Sequence, residues 1–414
     1  MIAHALILTL ALGQFLPDGM QPFPYYTGGG VTPASFVFAP DAGVYPTPIT
    51  PGAGPAMTFA RGTVGTYQPT VSTVASAAID ELRVGYQGAL LESGSINYCL
   101  NSEAMSAGIW VQFSANVTAD TTVAPDGTTT ADTLTASDVS GLIFQVVSVP
   151  SGVVFSSSTW VKAGTSSTPG AGTNCLGGGN VTSCSCKLSN GEVCSPIISS
   201  SQCVAGPSSA PGWVRVDVTV TCTSATTSVF ALALVDRDSA TTIGLTAVAW
   251  GAQIEDSIVP SSYIATAGTA VSRDPDLLSV PASVLGSGSA SFQMVMTPQW
   301  ASVDVNTSLL DSDGDLALYT LNDDLGWFVE GSTATATGPL GWDAGYPQTL
   351  NSWYGAATGD VLYVSDGTHT ANLPTGGAGP PTSTVIYIGG DSTASAGVSI
   401  SRLAICPNRT SACN

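Results

Sequence analysis

Asp311, Asp313 and Asp315 alternate in LLDSDGDLALY, the spacing with which a calcium loop begins. The full loop signature needs a Gly after the third acid and a Glu at its end, and both are missing. The other reading is a solvated Asp-Gly hairpin turn, which accounts for the same residues. A second group is aromatic. Trp342, Tyr346, Trp353 and Tyr354 cluster in TGPLGWDAGYPQTLNSWYGA (337–356), among Gly and Pro, with Asp343, Gln348 and Asn351 beside them. Exposed rings stack on the C–H faces of sugars, and amides and carboxylates bond sugar hydroxyls, so this segment is the candidate carbohydrate site. The competing reading caps a core, or a subunit contact, with the same rings. Acid–base and nucleophilic chemistry finds little support. The chain has only two histidines, His4 and His369, and no nucleophile–His–acid constellation can be argued from them. Glycoside hydrolysis needs two facing carboxylates, and no motif selects a pair. The sequence expectation is therefore a non-enzyme with no resident cofactor, calcium being the alternative.

Five of the nine cysteines, Cys175, Cys184, Cys186, Cys194 and Cys203, crowd a Gly/Ser-rich stretch, and Cys406 and Cys413 close the chain. Loop-rich segments that cannot build a core are commonly stapled by disulfides. The Cys184-Ser-Cys186 spacing is too tight for a zinc knuckle and no histidine is near, so disulfides are expected, with pairing left open.

These residues must be positioned by an unusual chain. Only 9% of its 414 residues are charged, 44% are hydrophobic, and the net charge is -20. The polar surface is then Ser, Thr, Asn, Gln and Gly, which favour strands and turns. Lysine occurs only at Lys162 and Lys187, so no basic patch can release counterions from a nucleic acid, and nucleic-acid binding is excluded. The apolar run from Ile2 to Leu12 is too short to span a bilayer as a helix. No Lys or Arg precedes it, which favours a docking segment over a signal peptide.

Residues 14–60 are rich in Pro and Gly and read as an extended arm. From Arg61 onward, short alternating runs are separated by turn residues. FQVVSV (144–149), STWVKA (158–163), WVRVDVTVTC (213–222) and TSVFALALV (227–235) are strand-like. Along Val214–Val220 valines alternate with Arg215, Asp217 and Thr219, the pattern of a half-buried antiparallel strand with its polar face in water. Trp110, Trp160, Trp213 and Trp250 fall in or beside strands and are expected in a core. After a seam at SRDPDLLSV (272–280) further strands follow, with Asp-Gly turns at Asp313-Gly314 and Asp366-Gly367. The reading is all-β: an arm over 1–57, a jelly-roll sandwich over 58–275 with a Cys-rich insertion at 165–210, a second antiparallel sandwich over 276–408, and a tail over 409–414.

Several segments, in order, resemble the tail-fibre and appendage proteins of tailed bacteriophages. They are TFARGTVGTY (58–67), RVGYQGALLE (83–92), INYCLNSEAMSAGIW (96–110), APDGTTTADTL (124–134), STWVKAG (158–164), PGWVRVDVTVT (211–221) and the closing AWGAQIEDSIVPSSYIATAGTAVSRDPDLLSV (249–280). The resemblance covers about residues 58–280 and implies a jelly roll of the carbohydrate-binding-module type. VIYIGG (385–390) and SISRLAI (399–405) are similar to a following concanavalin- or laminin-G-like sandwich. The long 165–210 segment, and Cys99 where the family carries an aromatic, depart from the pattern. Within the motif, Pro125-Asp126-Gly127 is expected to make a tight turn and the threonines to pair across strands.

The resemblance implies a virion surface appendage, docked to other virion proteins by its arm, homo-oligomeric and trimeric in the simplest case, contacting host-surface glycans. The alternatives are a purely architectural virion protein and a secreted bacterial surface lectin. The docking-arm reading predicts that the intact mass of the native protein includes its first residues, with or without Met1. A mass lacking roughly 13 or more N-terminal residues would instead mean signal cleavage.

Overall fold

The computed structural model describes residues 36–40 and 57–407, apart from 140, 149–153, 176–180, 190–191, 193, 195–196, 200–201, 208–211, 223–227, 239–242, 301–305, 314, 330–331, 337–340, 343–344, 356–360 and 375–381. Among these residues the chain is all-β, with no α-helix and one 3-10 turn at Ala282–Leu285. Every strand pairing is antiparallel, in four large sheets and two small hairpin-like ones.

Two six-stranded sheets build the first sandwich. One runs in the order Val181–Leu188, Val214–Cys222, Val154–Ala163, Thr246–Glu255, Ala131–Ala136, Ala115–Thr122. The other runs Ile197–Ser199, Gln202–Ala205, Gly170–Cys175, Ser228–Leu234, Leu142–Ser148, Val111–Phe113. The alternation seen in sequence sets their inner faces. Val216, Val218 and Val220 point inward with Ile143, Val147, Ala231 and Ala233. The APDGTTTAD segment turns as its residues require. Gly127 takes φ +87° and its N–H bonds the Ala124 carbonyl at 3.0 Å, while Asp126 accepts from Thr128 N and Oγ1. Thr121 and Thr133 pair their hydroxyls across neighbouring strands. Trp110, Trp160 and Trp250 are buried and Trp213 packs partly buried beside them.

One expectation is corrected. The polar face of Val214–Val220 is not in water: Arg215 and Asp217 are 6% and 5% exposed. The closing segment lies over them. Arg215 ion-pairs with Asp217 at 2.8 Å and donates to the Ser261 carbonyl at 2.6 Å. A buried charge is tolerated only when paired in this way.

The second sandwich recruits strands from both sides of the first. Its larger sheet orders Thr370–Pro374, Val361–Ser365, Gln348–Tyr354, Ala290–Pro298, Val398–Pro407, Gly88–Leu91 and Arg83–Gly85, and Phe36–Phe38 adds to Val398–Pro407. The facing sheet orders Thr58–Ala60, Leu277–Pro281, Val385–Ile388, Thr307–Asp311, Leu316–Leu321, Asp324–Val329 and Ser332–Ala336. One core, including Phe38, Leu91, Leu278, Phe292, Leu350, Ile388 and Leu403, joins the two sheets. Residues 58–60 and 83–91, grouped in sequence with the first sandwich, therefore hydrogen-bond into the second. The first sandwich is an insertion between Leu91 and Leu277.

The neck of that insertion is ionic. Arg61, Arg83, Arg273, Glu92 and Asp276 meet with side chains 7% exposed or less. Asp276 receives Arg61 at 3.0 Å, Arg83, and the Glu92 backbone N–H at 2.8 Å. Glu92 receives Arg83 at 2.7 Å, Arg273 at 3.0 Å, and Ser262 through both N–H and hydroxyl at 2.7 Å. A second lock is Asn97, 0% exposed. It accepts from Cys99 and Ile254 N–H and donates to the Ala252 and Ile264 carbonyls, using its whole bonding capacity.

Burial works against the Glu92 charge, but Arg273 and Arg83 overcome it and hold the carboxyl at about 2, below its ordinary 4.5. A carboxyl depressed on folding stabilises fully above its unfolded pKa, and that contribution disappears as pH falls from 4.5 through 2. It amounts to on the order of 3 kcal/mol. Glu255, raised by burial, acts with the opposite sign. Comparison with Glu92→Gln isolates the effect. The variant is expected to lose about 3–5 kcal/mol at pH 7, and the gap in denaturant stability should narrow towards pH 2. A gap constant with pH would contradict this account.

Candidate functional site

Where the two sandwiches face each other beyond the neck, a cleft of about 970 Å³ opens. Small-molecule sites span roughly 300–1,000 Å³, so the volume suits an oligosaccharide-sized ligand. One wall comes from the first sandwich's entry and closing segments, with Tyr98 and Asp256. The other comes from the rim of the second sandwich, with Asn306, Tyr319, Thr320 and Asp391.

Local sequence positions each group. Tyr319 pairs in register with Gly326 on the adjacent strand, and its ring lies flat over that glycine. A Cβ at Gly326 would sit 2.2 Å from Tyr319 Cζ, so only glycine leaves the ring its place. Asp391 Oδ1 accepts from Thr393 N–H at 2.7 Å, Thr393 hydroxyl at 2.7 Å and Ala394 N–H at 2.9 Å. Burial opposes its charge, but these bonds hold the carboxyl below its usual range. Asn306 Oδ1 accepts from Asn322 N–H at 2.7 Å, which holds the side chain by its oxygen. Burial, with Asp256 nearby, raises the Tyr98 phenol, which stays a hydrogen-bond donor. Trp300, 2% exposed, backs the cleft and donates to the Ala396 carbonyl at 2.6 Å.

A far smaller cavity of about 50 Å³ lies nearby, lined by Tyr86, Lys187, Arg215, Asp217 and Gln299. It is too small for a sugar and serves as a polar joint. Lys187 donates to Gln299 at 3.3 Å and lies 3.9 Å from Asp217. Gln299 donates on to Gln87 at 3.4 Å. Burial lowers the Lys187 pKa against the pull of Asp217, and burial with Asp217 pushes the Tyr86 phenol up to about 12.

The aromatic segment singled out in sequence takes another role. Trp342 is 3% exposed and packs on Trp300 with centroids 5.7 Å apart, one layer behind the cleft. Tyr354 is 0% exposed in the second core. Both rings are inside because their strand and loop face the apolar interior, the core-capping alternative. Tyr346 is 47% exposed, Gln348 and Asn351 are half-buried, and Asn351 accepts from Gln293 at 3.2 Å. Trp353 stacks on Tyr363 at 3.5 Å and 9°, so each ring spends a face on the other. Asp343 lies outside the described residues.

The aspartate trio does not form a cation cage. Asp311 accepts from Ser308 hydroxyl at 2.9 Å and Asp313 N–H at 2.6 Å. Asp315 Oδ2 accepts from the N–H and hydroxyl groups of both Thr382 and Ser383. Asp313 takes φ +57°, as an Asp-Gly turn demands. Burial, with Asp391 and Asp313 nearby, raises the Asp311 carboxyl. No group of three or more potential metal ligands occurs among the described residues. Of the cysteines, Cys186 bonds Cys194, and Cys175, Cys203 and Cys406 are also disulfide-bonded. The Cys184 side chain and Cys413 lie outside the described residues, and Cys99 is a buried free thiol.

No known protein family and no curated protein matches this chain. Fold and site together define a two-sandwich all-β protein with a polar, aromatic-lined cleft between its sandwiches.

The Gly326 contact generates a direct test. Gly326→Ala is expected to expel the Tyr319 ring while leaving the sheet intact, raising nitration of Tyr319 in site-resolved mass spectrometry. Unchanged nitration of Tyr319 would show that the ring is not held by the glycine.

Proposed function

We propose that this protein is a surface appendage of a tailed-phage virion that binds host-surface glycans, without catalysis, in the cleft between its sandwiches. The carrying observation is the cleft itself: about 970 Å³, with the Tyr319 ring laid over Gly326 and amide, hydroxyl and carboxylate groups around it. A flat ring offers the stacking face that sugars use, and mixed donors and acceptors match sugar hydroxyls. The ordered resemblance of residues 58–280 to phage appendage proteins supports the setting. In this reading the N-terminal arm docks to other virion proteins. Repeated copies compensate weak single sites through avidity.

A second reading, a purely architectural role, is favoured by one observation. The outer face of the sheet ending in Val111–Phe113 exposes Val111 at 46%, Phe113 at 55% and Val146 at 45%, an apolar face of the kind that packs on neighbours.

The two readings separate experimentally. Tyr319→Ala is expected to weaken binding of the full chain to host cells or a printed glycan array at least about ten-fold. Its melting temperature and oligomeric state should stay within a few degrees and unchanged. Binding indifferent to Tyr319→Ala, with assembly lost on Phe113→Ser, would favour architecture instead.

A further inference from the structure

We infer that the cleft selects saccharides without carboxylate, phosphate or sulfate groups, and prefers amino-bearing ones; this step rests on the glycan-binding reading above. Asp256 and Asp391 stand on its two walls. No Lys, Arg or His is among the described residues that line it. Recognition of an acidic sugar ordinarily uses an Arg fork or a Lys point charge. Neither can swing in. Arg273, which donates to the carbonyl of the cleft-lining Ser93 at 2.9 Å, is 2% exposed and pairs with Glu92. Arg83 is 0% exposed and holds Glu92 and Asp276. Lys187 is tied to Gln299 and Asp217. Glu92 itself reaches the cleft margin with its charge already matched by two arginines.

The carboxylates are differently placed. Asp391 Oδ1 is filled by its own turn, and Oδ2 takes no hydrogen bond among the described residues. Asp256 is exposed. An anionic ligand therefore meets two like charges on a protein of net charge -20. A neutral ligand meets Asn306 and the Tyr98 phenol, groups suited to hydroxyls. An ammonium group finds two carboxylates with capacity to spare.

The test uses the full chain at low ionic strength and three tetrasaccharides of equal length: chitotetraose (neutral), its de-N-acetylated form (cationic) and tetragalacturonate (anionic). Calorimetric titration is expected to rank cationic above neutral, with the anion at least about ten-fold weaker than neutral. The cationic advantage should shrink as salt is raised. Asp256→Asn should narrow the deficit of the anion several-fold relative to the neutral ligand. Anion binding as tight as neutral binding, and abolished by Tyr319→Ala, would overturn the charge selection while leaving glycan binding in the cleft standing. Cation binding indifferent to Tyr319→Ala would mean diffuse attraction to an acidic protein and would also overturn it. If none of the three binds, and neutral, amino and acidic sugars on a printed array bind no better, both readings fall.

Discussion

The ionic neck is the constraint on which the rest of the structure depends. The chain leaves the second sandwich after Gly88–Leu91 and returns at Leu277–Pro281. Everything between is an insertion tethered by two crossings. Arg61, Arg83 and Glu92 come from the outgoing side, Arg273 and Asp276 from the returning side. Every ion pair to Asp276 from Arg61 or Arg83, and that from Arg273 to Glu92, bridges the two crossings. Buried ion pairs add little net stability over apolar packing, but removing one partner strands a charge at a cost of about 3–5 kcal/mol. Their geometric demand is the useful part: three guanidinium groups and two carboxylates must meet for the charges to be paired, which holds the two crossings together.

That arrangement also explains the surface. The chain has nine lysines and arginines against twenty-nine acids. Three of the cations are spent in the neck, and a buried Arg215 and a half-buried Lys187 lie around the small polar joint. With five of the nine cations drawn inward, the exterior is dominated by Ser, Thr, Asn and acids. An acidic, lysine-poor cleft follows from how the fold uses its cations, without any separate selection of cleft residues for charge.

Legibility in sequence followed the range of the interactions. The strands of the first sandwich, the Pro125-Asp126-Gly127 turn and the inward tryptophans depend on alternation and local turn chemistry, and they read correctly. The pairing of Thr58–Ala60 with Leu277–Pro281 spans more than two hundred residues, and no local pattern encodes it. The buried polar face at Arg215 and Asp217 failed for the same reason, since the residues that cover it come from the closing segment. The cleft gathers Tyr98, Asp256, Asn306, Tyr319 and Asp391 from separated segments. The one signal available was Tyr319 three residues before a hairpin whose far strand carries Gly326, and it becomes readable only once the register is known. Trp342 and Tyr354 misled because a Gly/Pro-rich aromatic segment has the same composition whether it faces water or caps a core.

An inserted domain on two strands has one soft motion, rocking about its neck. Two devices lie across that motion: the ionic cluster, and the chain from Lys187 through Gln299 to Gln87. Glu92 and Gln299 border both the cleft and the small joint. The elements that fix the angle between the sandwiches are thus the ones that set the width of the cleft. A cleft of fixed width spends little free energy on ordering when a ligand enters. For the proposed glycan reader this matters more than the strength of any single contact. Affinity summed over many copies multiplies a modest site only if each copy presents it in the same open geometry.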